Sequence, residues 1–183
     1  MTNIMLDLET LGTKTDSVIL SIGAVAFNEE CIIKEFYTTI NVSSCVEMGL
    51  KMYPDTVCWW ASQSDASKKG VFESTTTLPV ALSDFSLWVR SMETSHLDSV
   101  RIWGNGEDFD NAVLREAYFK VGVPPSRIPW HFKNNMSYRT LKNLLPNVKM
   151  DRVGEHHNAL DDAKSQALHA IQLLKELHHG IKK

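Results

Sequence analysis

The sequence IMLDLET at residues 4–10 predicts a short buried strand that carries two carboxylates, Asp7 and Glu9. Side chains two residues apart on a strand point to the same face, so the two carboxylates project together. Two like charges at the end of a buried strand are unfavourable unless a cation lies between them, and hard divalent cations take oxygen ligands. The alternative is an exposed strand edge, at which water solvates both acids. The strand by itself does not decide between the two.

Further apolar patterns predict a mixed α/β architecture. Two apolar runs separated by a short polar break predict an antiparallel hairpin, and a fourth strand precedes a Gly-Asn-Gly turn. Proline positions and the helical spacing of apolar residues predict the helices. The strands after the first are expected at residues 18–27, 32–40 and 100–103, and helices are expected to begin near residues 55, 78, 109, 137 and 159. This order predicts a mixed sheet with helices packed on it, which several α/β folds share.

Length and composition favour a single domain that covers residues 1–183. The chain is 43% hydrophobic and 22% charged, which is typical of a globular protein with one core. No apolar run reaches the ~20 residues of a membrane-spanning helix, and the N-terminus lacks the basic and apolar regions of a signal peptide. Three cysteines without a CxxC pair argue against a zinc ribbon and favour reduced thiols in the cytoplasm.

The net charge of the chain is −3, from 22 acidic and 19 basic residues. A protein that holds nucleic acid through phosphate neutralisation alone is normally basic, so the global charge weighs against a nucleic-acid partner. The net charge no longer weighs against such a partner if several of the acids are metal ligands, because each bound divalent cation adds positive charge at the site.

Two further acidic groups lie near the starts of predicted helices. Asp110 follows the fourth predicted strand and its glycine-rich turn, where strand ends in open α/β sheets commonly carry sites. Later, the sequence HHNALDDA at residues 156–163 places two histidines before Asp161 and Asp162. Stabilisation of a helix N-terminus explains each group taken alone. Together with the pair on the first strand, they form the set of residues that two-metal phosphodiester hydrolysis needs.

The order DLET, then FDN after a strand, then HNALDDA at a helix start resembles the three motifs of the DEDDh exonucleases, the histidine-containing branch of the DEDD superfamily. The resemblance spans about residues 4–175. The pair WW followed by Gln63, and RTL at residues 139–141, are similar to the RNase T-like exoribonucleases of phage and bacteria. The resemblance implies an RNase H-like fold, with a mixed β-sheet flanked by α-helices.

The resemblance also implies four metal ligands and one further catalytic residue, which are Asp7, Glu9, Asp110, Asp162 and His157. In the third motif of the family, four residues separate the histidine from the aspartate, and alanine often follows. His157 and Asp162 satisfy this spacing and the alanine, whereas His156 and Asp161 satisfy the spacing alone. A shift by one residue therefore stays open at this point.

The implied reaction is 3′-5′ exonucleolytic hydrolysis with two Mg²⁺ or Mn²⁺ ions held by the carboxylates. His157 would accept a proton from the attacking water as general base, because imidazole titrates near neutral pH. The products would be nucleoside 5′-monophosphates. The expected partner is the 3′ end of single-stranded nucleic acid, with RNA slightly favoured, and a homodimer is inferred only by analogy.

A 3′-terminal nucleotide needs a surface on which to stack, because aromatic contacts contribute ~1–3 kcal/mol per base. The resemblance and the nearby aromatic residues predict substrate contacts at Leu11, Gly12, Trp59, Trp60, Phe109 and Arg139. Core packing is the alternative for each tryptophan. Lys142, on the same predicted helix as Arg139, is assigned to a solvated face.

Other functions stay open. An exonuclease that acts on DNA would use the same motifs, and an RNase H-type endonuclease would use the same fold. A binding module would carry the acids incidentally, which the complete motif set argues against. A phosphohydrolase of the HD type, built on the third motif, would leave the first acidic pair unexplained. No motif here encodes the contacts to the 2′-OH that distinguish RNA from DNA.

Overall fold

The computed structural model describes residues 2–68, 70–92 and 100–181. Its five strands are β1 (Thr2–Thr10), β2 (Ile19–Phe27), β3 (Ile32–Thr39), β4 (Val100–Gly104) and β5 (Asn135–Ser137). They form one sheet in the order β3-β2-β1-β4-β5. The first three strands pair antiparallel, whereas β4 pairs parallel with β1, and β5 pairs parallel with β4. The sheet is therefore mixed.

Helices cover both faces of this sheet. They are α1 (Val42–Glu47), α2 (Pro54–Ala61), α3 (Asp65–Lys68), α4 (Leu78–Arg90), α5 (Asp110–Lys120), α6 (Tyr138–Leu144) and α7 (Ala159–Ile181). Two short 3-10 turns, Pro125–Arg127 and Phe132–Asn134, lie between α5 and β5. Within the described part of the chain, no helix is both long enough and apolar enough to cross a membrane.

Strand β1 separates two hydrophobic clusters, because its side chains alternate between the faces of the sheet. Ile4 and Leu6 belong to the larger cluster, which includes the buried sides of α4 and α5. Met5 belongs to the smaller cluster, which lies under α6 and α7. Asp7 and Glu9 follow Met5 at intervals of two residues and therefore lie on the face that α7 covers.

Helix α7 packs closely on the sheet through small residues. Ala163 and Ala167 are completely buried in its contact stripe. Gly23 of β2 is the antiparallel partner of Asp7, and a Cβ atom on Gly23 would lie 2.1 Å from the carbonyl carbon of Ala159. Because Gly23 has no side chain, the start of α7 can lie directly against the sheet beside Asp7.

The mixed sheet with helices on both faces confirms the predicted α/β architecture, but α1, α3 and β5 were not predicted. Helix α1 has a visible signal, because Asn41 Oδ1 accepts a hydrogen bond from the Ser44 N–H at 3.0 Å and caps the helix. Strand β5 has only 3 residues, too few to show an alternating pattern. Its pairing with β4 stabilises it.

Candidate active site

Asp7 and Glu9 lie towards the end of β1, under the first turns of α7. Gln166 of α7 donates a hydrogen bond from Nε2 to Asp7 Oδ1 at 2.8 Å. Glu9 is only 8% exposed, and Asp7 is partly buried. The two carboxylates project to the same side of the sheet, as their spacing predicts, and that side is covered rather than open to water.

The first turn of α7 presents Asp162 to these acids. Asn158 caps the helix, because its Oδ1 accepts hydrogen bonds from two N–H groups of the first turn at 3.1 and 3.2 Å. Asp162 is 9% exposed. Possible ligand atoms on the side chains of Glu9, His157 and Asp162 lie within 4.8 Å of one another. Residues more than 140 positions apart in the chain therefore meet at one point.

Asp161 lies next to Asp162 but contacts a different part of the molecule. Its Oδ2 accepts a hydrogen bond from the Glu155 N–H at 2.9 Å. Its carboxylate also occupies the space beside Gly154, where a Cβ atom would approach it within 2.2 Å. Asp161 thus holds the loop before α7. The geometry therefore favours Asp162 over Asp161 as the candidate ligand.

Asp110 enters the same site from the start of α5. Its carboxylate is 4% exposed. Oδ1 accepts a hydrogen bond from the Leu8 N–H at 3.3 Å, and Oδ2 accepts one from the Asn105 N–H at 3.1 Å. These bonds tie Asp110 to β1 on one side and to the turn after β4 on the other.

We call the four carboxylates of Asp7, Glu9, Asp110 and Asp162 the acidic centre. Burial raises the pKa of Asp7 well above its ordinary value, and the charges of the other three acids, led by Asp110, raise it further. Burial and then the charges of Asp162 and Asp110 raise the pKa of Glu9 to about 8. Burial also raises the pKa of Asp110 to about 7, against its main-chain hydrogen bonds. Buried carboxylates that repel one another form a donor set suited to divalent cations.

Two side chains that were not predicted, the Arg152 guanidinium and the Gln166 amide, also contact the acidic centre. Arg152, in the loop before α7, donates from Nη1 to Asp162 Oδ1. The His157 N–H donates to the other oxygen, Oδ2, at 3.2 Å. Gln166 lies four residues after Asp162, so helical spacing could have indicated that both share one face of α7. Arg152 lies in a loop, where no periodic pattern could have indicated it.

His157 stands beside the acidic centre in an unusual backbone conformation. Its φ is 64°, a region that costs a non-glycine residue ~1–3 kcal/mol and that concentrates at functional sites. The ring of Trp59 packs edge-to-face on the imidazole, with centroids 4.8 Å apart. Burial and then the charge of His156 lower the pKa of His157, whereas Asp162 opposes the shift. Neutral imidazole, which can accept a proton, is therefore favoured at neutral pH.

A cleft of about 430 Å³ opens beside Glu9. Its lining includes four of the predicted substrate contacts, Gly12, Trp59, Trp60 and Phe109, and we call it the aromatic cleft. Trp59 is 39% exposed, whereas Trp60 is 2% exposed and donates from Nε1 to the Thr10 carbonyl oxygen at 2.9 Å. Trp59 therefore offers a free ring surface to a base, and Trp60 mainly supports the wall.

The other two predicted contacts lie away from this cleft. Leu11 is 3% exposed and packs in the larger hydrophobic cluster, so it does not line the aromatic cleft. Arg139 is exposed at the start of α6, and its main-chain N–H donates to the Asn105 carbonyl oxygen at 2.9 Å. Its guanidinium carbon lies 3.8 Å from the place of a Cβ atom on Gly106. Arg139 therefore borders the turn that holds Asp110.

Comparisons with known proteins agree with this geometry. The family model of the 3′-5′ exoribonuclease Rv2179c-like domain matches residues 2–174. The nuclease domain of 3′hExo, a DEDDh family member bound to rAMP, is 16% identical, with a TM-score of 0.66 over 96% of this chain and 92% of that chain. Exonuclease X in complex with 5′-overhanging duplex DNA is 14% identical, with a TM-score of 0.58 over 95% of this chain and 92% of that chain.

Exonuclease I of E. coli in complex with a dA16 oligonucleotide is also 14% identical, with a TM-score of 0.59 over 97% of this chain. This chain covers only 43% of that protein. No curated protein matches the chain by sequence.

The sheet and its flanking helices therefore form the RNase H-like fold of the DEDDh nucleases, as the sequence resemblance implied. The chain belongs to the Rv2179c-like 3′-5′ exoribonuclease domain family, and it is a 3′-5′ exonuclease.

Proposed function

We propose that this protein removes nucleoside 5′-monophosphates one at a time from the 3′ end of single-stranded nucleic acid, with RNA favoured over DNA. The observation that carries the proposal is the convergence of four carboxylates and one histidine beside the aromatic cleft. The description of the family as exoribonucleases supports RNA. Action on DNA is the alternative, since exonucleases I and X, which have the same fold, are seen in complex with DNA.

The acidic centre suits two divalent cations, Mg²⁺ or Mn²⁺. Its donors are carboxylate oxygens, which hard cations prefer, and its four negative charges exceed the single positive charge of Arg152. Asp7, Glu9, Asp110 and Asp162 would hold the ions, because a carboxylate oxygen that accepts one hydrogen bond keeps a second lone pair for a cation. When bound, the cations would lower the pKa of the attacking water and stabilise charge on the phosphate and the departing oxygen.

His157 acts as the general base in this proposal. Its lowered pKa keeps the imidazole neutral and able to take a proton from the attacking water. The edge-to-face contact with Trp59 and the left-handed backbone limit the orientations of the ring. After proton transfer, the negative charge of Asp162 stabilises the imidazolium, since this charge favours the protonated form.

The 3′-terminal nucleotide occupies the aromatic cleft. The exposed ring of Trp59 can stack on its base, and this contact does not depend on base identity because every base has an aromatic face. Glu9 belongs both to the cleft and to the acidic centre. A nucleotide in the cleft therefore has its 5′ phosphate beside the carboxylates, which is the arrangement that release of a 5′-monophosphate requires.

Residues 1–183 form a single exonuclease domain in this proposal, and the match of the family model to residues 2–174 supports it. A cytoplasmic location is also part of the proposal. It is supported by three cysteines that form no disulfide, Cys31, Cys45 and Cys58. A homodimer stays a prediction from the family resemblance.

A time course on 5′-labelled single-stranded RNA and DNA of the same sequence tests the proposal. In Mg²⁺ or Mn²⁺ the label should shift to progressively shorter strands, faster for RNA, and chromatography should detect nucleoside 5′-monophosphates. Chelator should stop the reaction. An Asp162→Asn variant is the matched control for a contaminating nuclease, because it should show none of this activity.

A covalently closed circular single strand separates the proposal from an endonuclease of the RNase H type. The circle has no 3′ end, so it should stay intact while its linear form is degraded. Cleavage of the circle by the wild-type protein, absent from the Asp162→Asn preparation, would reject exonucleolytic action.

A further inference from the structure

A second cleft, of about 260 Å³, borders the acidic centre and shares no lining residue with the aromatic cleft. Its polar lining consists of Asn105, Lys142, Lys149, Arg152, Gln166 and His169, together with the Tyr138 hydroxyl, and we call it the basic pocket. Two of its side chains reach the acidic centre directly, since Gln166 binds Asp7 and Arg152 binds Asp162. A ligand in the pocket would therefore lie next to the carboxylates.

Two lysines of the basic pocket, Lys142 and Lys149, have no carboxylate within ion-pair distance in the described part of the chain. Lys142 is partly buried, with its Nζ 5.4 Å from the centre of the Tyr138 ring. Lys149 donates from Nζ to the Pro146 carbonyl oxygen at 3.4 Å. Within residues 2–68, 70–92 and 100–181, neither lysine forms an ion pair. The sequence predicts a solvated helix face for Lys142, whereas in the structure Lys142 lines the basic pocket.

The other lining groups shape the pocket rather than compete for an anion. His169 is 2% exposed, and both of its ring nitrogens are engaged, one with the Tyr138 hydroxyl at 2.6 Å and one with the Val148 carbonyl oxygen at 3.0 Å. Gln166 is fixed by its bond to Asp7. The cationic groups left to bind an anion are thus the two lysines and the exposed part of Arg152.

This position matters because the acidic centre repels a nucleic-acid strand. The whole chain has a net charge of −3, so attraction for phosphates must come from a local group of cations. Lysine presents a compact charge and arginine a planar fork, and both bind phosphate oxygens. The basic pocket combines these cations at the edge of the proposed hydrolytic site.

We propose that the basic pocket binds the phosphodiester on the 5′ side of the scissile one, so that the strand is held by a base in the aromatic cleft and by a backbone phosphate in the basic pocket. This inference rests on the proposed exonuclease function. Binding of this kind would position a strand of any sequence, because phosphate contacts carry no sequence information.

The test compares two substrates with the variant Lys142→Ala/Lys149→Ala. A single-stranded 12-mer carries phosphates beyond the scissile one, whereas the 4-nitrophenyl ester of thymidine 5′-monophosphate carries the scissile phosphate alone. The variant should raise KM for the 12-mer by ~10-fold or more, as expected for the loss of charged hydrogen bonds. Its kcat on the 12-mer and its hydrolysis of the ester should be retained.

A matched control has the same change in net charge. Lys34 bonds to Ser91 at the end of α4, and Lys175 is exposed on α7, nine residues or ~13 Å along the helix from Gln166. Lys34→Ala/Lys175→Ala should leave KM for the 12-mer unchanged. If the control raises KM as much as the pocket variant, the attraction is general electrostatics and the pocket is not a binding site.

A methylphosphonate linkage locates the phosphate that the pocket binds. With this uncharged group on the 5′ side of the scissile phosphate, wild-type KM should rise to that of the pocket variant, and the variant should lose nothing more. If the uncharged linkage raises the KM of the pocket variant by the same factor as that of wild type, the two effects are independent. The basic pocket then does not bind this phosphate. Inorganic phosphate could also inhibit wild type more strongly than the variant while both have the same KM for the 12-mer. The pocket would then be a site for free phosphate, and the proposed contact with the strand would be rejected.

Binding in chelator makes this inference separable from the proposed function. Fluorescence anisotropy of a 5′-labelled 12-mer needs no turnover, and the variant should reduce the slope of log Kd against log salt by ~0.7, the value for one lost contact with a single-strand phosphate. If wild type cleaves neither substrate but this difference holds, the exonuclease proposal fails and the pocket stands. If wild type cleaves both and the variant binds like wild type, the pocket alone is rejected.

Discussion

The two faces of β1 differ in what they contribute. On one face, Leu6 is completely buried against the larger hydrophobic cluster, and such burial stabilises a fold by about 25 cal/mol per Å² of apolar surface. On the other face, Asp7 and Glu9 lie beside further carboxylates, and their raised pKa values show that their charged forms are disfavoured. One strand therefore supplies stability from one side and, from the other, a cluster of carboxylates that weakens the metal-free fold.

The largest expected effect is that of Asp7→Asn. Asparagine keeps an acceptor for Gln166 Nε2 but removes the negative charge, so nucleotide release from a single strand should be abolished. In chelator, however, the free energy of unfolding should rise, because the variant removes the repulsion that raises the pKa of Asp7. Denaturant titration measures this. A less stable variant would contradict the contrast between the two faces.

His157→Ala should slow turnover by ~10²–10⁴-fold, the range for loss of a general base. The four carboxylates are unchanged, so calorimetry should find Mn²⁺ binding retained. His156→Ala is the matched control, because His156 is exposed and should be dispensable for turnover. Loss of Mn²⁺ binding in His157→Ala would instead make the histidine a ligand, which its distance from Glu9 and Asp162 would permit.

Leu6→Ala probes the apolar face and should behave in the opposite way to Asp7→Asn. Truncation of a completely buried leucine costs ~2–5 kcal/mol of unfolding free energy, and Leu6 has no exposed surface. Activity per folded molecule should be retained at low temperature, since the Leu6 side chain packs in the hydrophobic cluster on the opposite face of the sheet from Asp7 and Glu9. Denaturant titration and active-site-normalised rates check the two parts. Loss of activity in the folded variant would show that the faces are not independent.

Gly23→Ala connects the two faces through the position of α7. The new Cβ would meet the main chain of Ala159 at 2.1 Å, so the helix must move. Overpacking of this kind typically costs ~1–3 kcal/mol, and the shift should also reduce activity because it moves Asp162 away from Asp7. Stability and nucleotide release should therefore fall together. Retention of both would mean that α7 need not touch the sheet.

The last expected effect is the pH dependence of the metal-free fold. The pKa of Glu9 rises from its ordinary 4.5 to about 8 on folding, so the folded state binds the proton more tightly than the unfolded state. In chelator, the contribution of Glu9 to the unfolding free energy should therefore fall as pH rises from 4.5 to 8. Mn²⁺ should offset this loss most at pH 8, because cations compete with protons for the carboxylates.

Glu9→Gln is the control for this pH dependence. The glutamine cannot titrate, so the difference in unfolding free energy between variant and wild type isolates Glu9 from Asp110, whose pKa of about 7 lies in the same range. A difference that does not change between pH 5 and pH 8 would show that Glu9 is not perturbed.

Some features of the site were open to prediction because they depend on local geometry. The DLET spacing places two carboxylates on one face of any strand, and acids in the first turn of a helix lie at its N-terminus. The choice between Asp161 and Asp162 was different, because both are about equally far from the apolar stripe of α7. In the structure, the two aspartates differ because the loop around Gly154 binds Asp161 and leaves Asp162 facing the acidic centre.

The sequence by itself determined the strand and helix pattern, the motif order and the kind of chemistry, because these follow from periodicity and residue type over short distances. Tertiary structure alone decided which groups meet. Asp110 bonds to Leu8 across 102 positions, and Gln166 bonds to Asp7 across 159. It also decided that Leu11 packs in the core and that Lys142 lines a pocket. Such contacts depend on how whole helices and strands pack. For α7, the packing depends on the absence of a side chain at Gly23. The local sequence pattern of α7 does not contain this information.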